Sequence, residues 1–154
     1  MDFCKEVHYL YFFRMIQYEF NSKQNIIMFN LSEKREGPCV GHANGEVQPA
    51  DIGGDGEAWR FVPVGNGSPN YFIMGCGGEH HLYLSHGNGQ ICMTDIAGEG
   101  EHWNVIDEFE CCYKIKATGG ESHLYLGHDM NGFHFIEQGQ ENFDNALWRI
   151  IFRE

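Results

Sequence analysis

The chain is short of basic residues and of long apolar runs, and each shortage removes a class of protein. Ten Lys and Arg stand against 22 Asp and Glu, a formal net charge of −12. A field of that sign repels phosphate backbones and anionic headgroups, which argues against nucleic acid and membrane surfaces as partners. No apolar run approaches the length of a membrane span, so bilayer insertion is not expected either. The opening "MDFCKEVHYLYFFRMIQYEF" carries charges early, and its run "YLYFF" stops at Arg14, short of a secretory signal core. The expected localisation is therefore cytoplasmic, or secreted without a recognisable signal peptide. None of the six cysteines forms a CxxC, and adjacent Cys111 and Cys112 would point to opposite faces of a strand, so free thiols are expected. P-loop, dinucleotide and nucleophile-elbow motifs are all missing, and no cofactor is implied.

What is present points to a single folded domain. A chain of 154 residues can build one real core, and 42% apolar with 14% aromatic residues suits a globular protein. Its 20 glycines gather in short Gly/Asn/Asp/Glu clusters between apolar runs, the pattern of many turns and short strands.

Laid against itself, the chain repeats. Shifted by 44, residues 27–64 fall on 71–108 without a gap, matching His42 to His86, Asn44-Gly45 to Asn88-Gly89, Asp51 to Asp95, Gly54 to Gly98 and Trp59 to Trp103. A shift of 42 lays "YFIMGCGGEHHLYLSH" over "YKIKATGGESHLYLGH", matching Tyr71 to Tyr113 and His86 to His128. The third copy then takes on extra residues before Trp148. Three units result, about 27–66, 71–110 and 112–154, with residues 25–154 as the domain.

Each unit reads as four strands. In the second they are "YFIMG", "HLYLS", "QICMTD" and "HWNVID", with Leu82 and Leu84, Ile91 and Met93, and Trp103 and Val105 each sharing a face. "HGNG" is expected to be a tight hairpin, since Asn and Gly accept the positive φ such turns need. Three units of roughly 42 residues cannot each bury a face alone, but together they can close an all-β barrel with pseudo-threefold symmetry. Trp59, Trp103 and Trp148 are then core residues. Residues 1–24 lie outside the repeat, and "YLYFFRMIQYEF" is apolar enough to pack as an edge strand on the barrel or to join two copies in a homodimer.

The triplicated "WRFVPV", "WNVIDE" and "WRIIFR", with the "LYL-x-H" strands, resemble the β-trefoil lectins of ricin-B-like and fungal type, and fascin-like domains less closely. The likeness covers about 27–154. It implies a β-trefoil and a non-enzymatic sugar-binding function. The strict Gln-x-Trp signature of ricin-type lectins is missing, since Glu57, Glu101 and Ala146 stand two residues before the tryptophans.

Candidate chemistry gathers around the turn of each unit: His42, Asn44 and Asp51; His86, Asn88 and Asp95; His128, Asn131 and Glu137. Sugar recognition needs a few fixed donors and acceptors beside an aromatic face, and Tyr83 or Tyr125 supplies the ring. Up to three shallow sites, one per repeat, would gain avidity on glycans or glycoproteins. A metal centre is not expected, because symmetry-related hairpins diverge and the histidines more simply hydrogen-bond their own hairpins. Ser85, His86 and Asp95 stand near one another in sequence but lack the other features of a hydrolase. Two other functions are weighed: a fascin- or hisactophilin-like actin-binding module, against which the missing basic patch counts, and a trefoil protease inhibitor, which would present a long loop such as 64–70 or 137–145.

Overall fold

The computed structural model describes residues 20, 25–31, 39–43, 45–50, 58–77, 81–110, 112–129, 132–140 and 143–153. They form twelve strands and no α-helix: β1 (Asn25–Asn30), β2 (Cys39–Ala43), β3 (Glu46–Ala50), β4 (Trp59–Pro63), β5 (Tyr71–Gly75), β6 (Tyr83–Ser85), β7 (Cys92–Thr94), β8 (His102–Phe109), β9 (Cys112–Ala117), β10 (Leu124–Asp129), β11 (Gly132–Glu137) and β12 (Leu147–Arg153).

Their pairing closes a ring. β1 pairs with β4, β4 with β5, β5 with β8, β8 with β9, β9 with β12, and β12 returns to β1. Three hairpins hang from this six-stranded barrel: β2–β3 on β1, β6–β7 on β5, and β10–β11 on β9. Closure leaves the barrel strands no free edge, which is how an antiparallel protein of this size avoids edge-to-edge association.

Alternation decides what fills the barrel. In β4 the buried positions are Trp59 and Phe61, and in β9 Tyr113, Ile115 and Ala117 are buried with half-buried residues between them. Trp59, Trp103 and Trp148 are fully buried, as the sequence implies. Each indole also fastens a hairpin. Its Nε1–H donates to a carbonyl oxygen of the overlying strand: Trp59 to Val40 at 2.8 Å, Trp103 to Leu84 at 3.0 Å and Trp148 to Leu126 at 2.8 Å. The donor a buried indole must satisfy is thus used to hold barrel and cap together.

The segment 1–24, expected to pack as an edge strand or to join two copies, lies outside the described residues except for Phe20. Phe20 itself is only 6% exposed. Its ring meets Phe61, Tyr71 and Tyr113 at centroid distances of 4.7, 5.6 and 5.5 Å, joining the main core from outside the repeat.

The hairpin turns differ. In the first Ala43 pairs with Glu46 and Gly45 takes φ 77°, and in the third Asp129 pairs with Gly132. In the second hairpin Ser85 pairs with Cys92, so residues 86–91 form a wider loop instead of the tight turn expected from "HGNG". Asn88 and Gly89 do take positive φ, 58° and 70°. The strands part early because the loop 98–101 folds over them: the His86 N–H donates to the Gly100 carbonyl at 2.8 Å, and the Ser85 hydroxyl donates to the same oxygen at 3.3 Å. Among the described residues Cys92 carries an exposed free thiol, while the buried Cys76 and Cys112 thiols donate to Asn25 Oδ1 at 3.5 Å and the Glu110 carbonyl at 3.7 Å.

Candidate functional site

The structure divides the histidines from the acids. His42 and His86 are 3% and 2% exposed. Their Nε2 atoms lie 2.8 Å from the carbonyl oxygens of Ala58 and His102, each the residue just before a core tryptophan. Both rings also sit edge-on to those tryptophans, at 4.7 and 5.0 Å. His42 and His86 thus tie their hairpins to the barrel strands that carry Trp59 and Trp103. His128 is half-buried against Phe133 at 4.8 Å. Asn88 and Asp95 are exposed, while Asn44, Asp51 and Asn131 lie outside the described residues.

Ser85, His86 and Asp95 do not assemble as a relay. The Ser85 hydroxyl is engaged by the Gly100 carbonyl and accepts the Gly87 N–H at 3.1 Å, while the His86 Nε2 faces His102. Asp95 is exposed at the end of β7.

Glu137 belongs to a different grouping. It ends β11 opposite Leu124, one step from the pair formed by Ile136 and Tyr125. On its other side Tyr125 pairs with Lys116 of β9. A shallow cleft of about 140 Å³ opens here, lined by Lys116, Ser122, His123, Glu137 and Gln138, with the largely buried Tyr125 ring at its base. The tyrosine is 7% exposed and is braced edge-on by Phe143 at 5.1 Å. Lys116 Nζ stands 5.7 Å from the Tyr125 ring centre, and His123 Nε2 lies 3.9 Å from a Glu137 carboxylate oxygen. The Glu137 backbone N–H is held by the Gln140 side-chain oxygen at 2.8 Å, which fixes the end of the strand.

Such a cleft offers a carboxylate, a side-chain amide, a hydroxyl and an imidazole, groups that can donate to and accept from the hydroxyls of a small polar ligand. His128 takes no part, because it pairs with Phe133 at the far end of the same hairpin.

The second hairpin carries residues at matching positions. Tyr83 pairs with Met74 and Thr94, and Asp95 follows Thr94 as Glu137 follows Ile136. Tyr83 is braced by Phe72 at 5.4 Å. His81 is exposed beside it, and Ile96, 66% exposed, stands where the third hairpin has Gln138. In the first unit the shift of 44 places Cys39 where Tyr83 stands, so the aromatic floor is absent from its sequence.

By sequence, no family model and no curated protein matches the chain. Solved structures do match it. The BEL β-trefoil superposes with a TM-score of 0.67 at 12% identity, over 86% of this chain and 95% of that one. The fold is a β-trefoil. SeviL bound to an asialo-GM1 saccharide gives a TM-score of 0.64 at 15% identity, covering 83% of this trefoil and 96% of SeviL. A third match is an endo-β-galactosidase from Clostridium perfringens that releases GlcNAcα1-4Gal, at 0.68 and 12% identity; 86% of this chain covers 33% of that enzyme.

Sequence reasoning reached Glu137 and Tyr125 but missed Lys116, Ser122, His123 and Gln138. Ser122 and His123 lie in the "GGESHLYL" segment, whose likeness to "GGEHHLYL" marks it as a shared feature. Lys116 stood in the alignment against Met74, a difference in charge within an otherwise matched strand.

Proposed function

We propose that this β-trefoil is a non-enzymatic glycan-binding protein, a lectin, built from three four-stranded units, with its sites at the tyrosine–carboxylate clefts of the second and third. The carrying observation is the third cleft itself, where Tyr125 and Glu137 converge with Ser122, His123 and Gln138. Recurrence of the tryptophan-to-carbonyl bond from Trp59, Trp103 and Trp148 supports the division into three units. Engagement of Ser85 by the Gly100 carbonyl favours binding over hydrolysis. SeviL, of the same fold, is bound to a saccharide, which supports the same reading.

Shallow clefts of this kind bind single sugars weakly and gain strength when two engage one multivalent surface. Asp51, Asn44 and Asn131 remain candidate contacts in this reading, with Asn88 and Asp95 at the rim of the second hairpin. The test is a glycan array followed by titration of the sugars that score. Binding should fall in Glu137→Ala and Asp95→Ala, and fall furthest in the double variant. A chain that binds no glycan on the array overturns the proposal.

A further inference from the structure

The matched surface of the second hairpin, proposed above as a second cleft, shares a tyrosine and a carboxylate with the third cleft but differs on the barrel side. Opposite Tyr83 stands Met74; opposite Tyr125 stands Lys116. At the rim the exposed apolar Ile96 of the second cleft corresponds to Gln138 of the third. Both differences make the third cleft more polar, and one makes it cationic.

Lys116 is not consumed by a neighbour. Lys114, two residues earlier on β9, pairs with Glu108 at 3.8 Å and caps the Phe143 ring at 4.1 Å. Lys116 faces the Tyr125 ring, and among the described residues no carboxylate lies within ion-pair distance of its Nζ. Glu137, the acid of the same cleft, lies across Leu124 on β11, one step past the Tyr125–Ile136 pair, and its carboxylate is 3.9 Å from His123 Nε2. The cleft therefore has a positive wall on β9 and a negative wall on β11, with an aromatic floor between them.

We infer that Lys116 sets the ligand class of the third cleft, making it a site for sugars that carry a carboxylate, uronic acids, while the second cleft takes neutral sugars. The inference rests on the glycan-binding reading above. A pyranose held in this cleft presents hydroxyls to Glu137 on one side and its carboxylate to the Lys116 ammonium on the other. The net charge of −12 opposes an anion at long range. At physiological ionic strength that repulsion fades beyond about 8 Å, whereas the Lys116 contact is made within the cleft. Met74 has no such group to offer, and desolvating a carboxylate against its side chain and Ile96 is unfavourable.

The experiment uses matched methyl glycosides, galacturonide against galactoside and glucuronide against glucoside, titrated by calorimetry or ligand-observed NMR. In Asp95→Ala, which silences the second cleft at an exposed residue, the acidic member of at least one pair should bind more tightly. A preference of roughly threefold to fivefold is expected, the scale of a partly exposed ion pair. Lys116→Met should abolish that preference. Met74→Lys, in a chain whose third cleft is silenced by Glu137→Ala, should create it. Thermal melts confirm that each variant is folded. An acid-to-neutral ratio near one in Asp95→Ala, or one unchanged by Lys116→Met, overturns this inference and leaves the lectin reading standing. Failure of the wild-type chain to bind any sugar, neutral or acidic, on the array overturns both.

Discussion

Trp103 donates its indole N–H to the carbonyl oxygen of Leu84 at 3.0 Å, and both residues are fully buried. One partner belongs to the barrel strand β8 and the other to the hairpin strand β6. The bond therefore couples the stability of the cap to that of the barrel.

Replacing Trp103 with Phe keeps an aromatic ring in the core and removes the donor. The Leu84 carbonyl, left buried without that partner, should cost at least about 1–3 kcal/mol. Denaturant unfolding measures the loss, and an unchanged midpoint would show that the bond contributes nothing. The same change at Trp59 should behave alike, since its bond to Val40 is equally buried.

Phe20 is the one described residue before β1, and it packs among Phe61, Tyr71, Tyr113 and Phe152. Phe20→Ala should cost about 3–5 kcal/mol, the range for emptying a buried aromatic site. A melting temperature within a degree of wild type would mean that the barrel closes without it.

Gly127 faces Ile136 across the third hairpin so closely that an added Cβ would overlap the Ile136 Cδ1 and lie 3.3 Å from the Asn145 carbonyl oxygen. Ile136 is fully buried and has little room to yield. Gly127→Ala should destabilise by about 1–3 kcal/mol. Adding Ile136→Val removes the overlapping methyl and should recover part of that loss, a coupling that a double-mutant cycle reads directly.

Glu101 is buried, and one of its oxygens accepts the Thr94 hydroxyl at 2.7 Å. Glu101→Gln keeps an acceptor at that point and should change stability by less than about 1 kcal/mol. Glu101→Ala leaves Thr94 without this partner and should cost about 1–3 kcal/mol. Equal melting temperatures for the two variants would dismiss the hydrogen bond as a contributor.

Much of the fold was legible because it is periodic. Tryptophans at 59, 103 and 148 announce three matched barrel strands, and the Gly-Gly-Glu segments announce matched turns: Gly77 and Gly119 share φ values of 67° and 66°. The second hairpin was misread because its width is not a local property. Gly100 approaches Gly87 so closely that a Cβ on Gly100 would stand 3.5 Å from the Gly87 Cα, and no turn motif in "HGNG" encodes a loop arriving from residue 98. The same loop explains why Leu84, Ser85 and His86 are buried in succession, where alternation exposes every second residue. As for the cleft, Glu137 and Tyr125 stood out as acid and ring, but Lys116 reaches them only through the β9–β10 pairing, a contact set by register.

β1 and β12 meet along their whole length, from Asn25 opposite Arg153 to Asn30 opposite Trp148. This pairing joins the first described strand to the last, so the loop entropy of nearly the whole chain is lost before its hydrogen bonds can compensate. It should therefore be the slow seam of folding, formed after the local hairpins. A circular permutant that links β12 to residue 20 by a short peptide, keeping Phe20 ahead of β1, and opens the turn at 65–68 would turn that seam into a local connection. Its refolding, followed by stopped-flow tryptophan fluorescence, should be faster than that of the natural order, while the barrel it reaches stays the same.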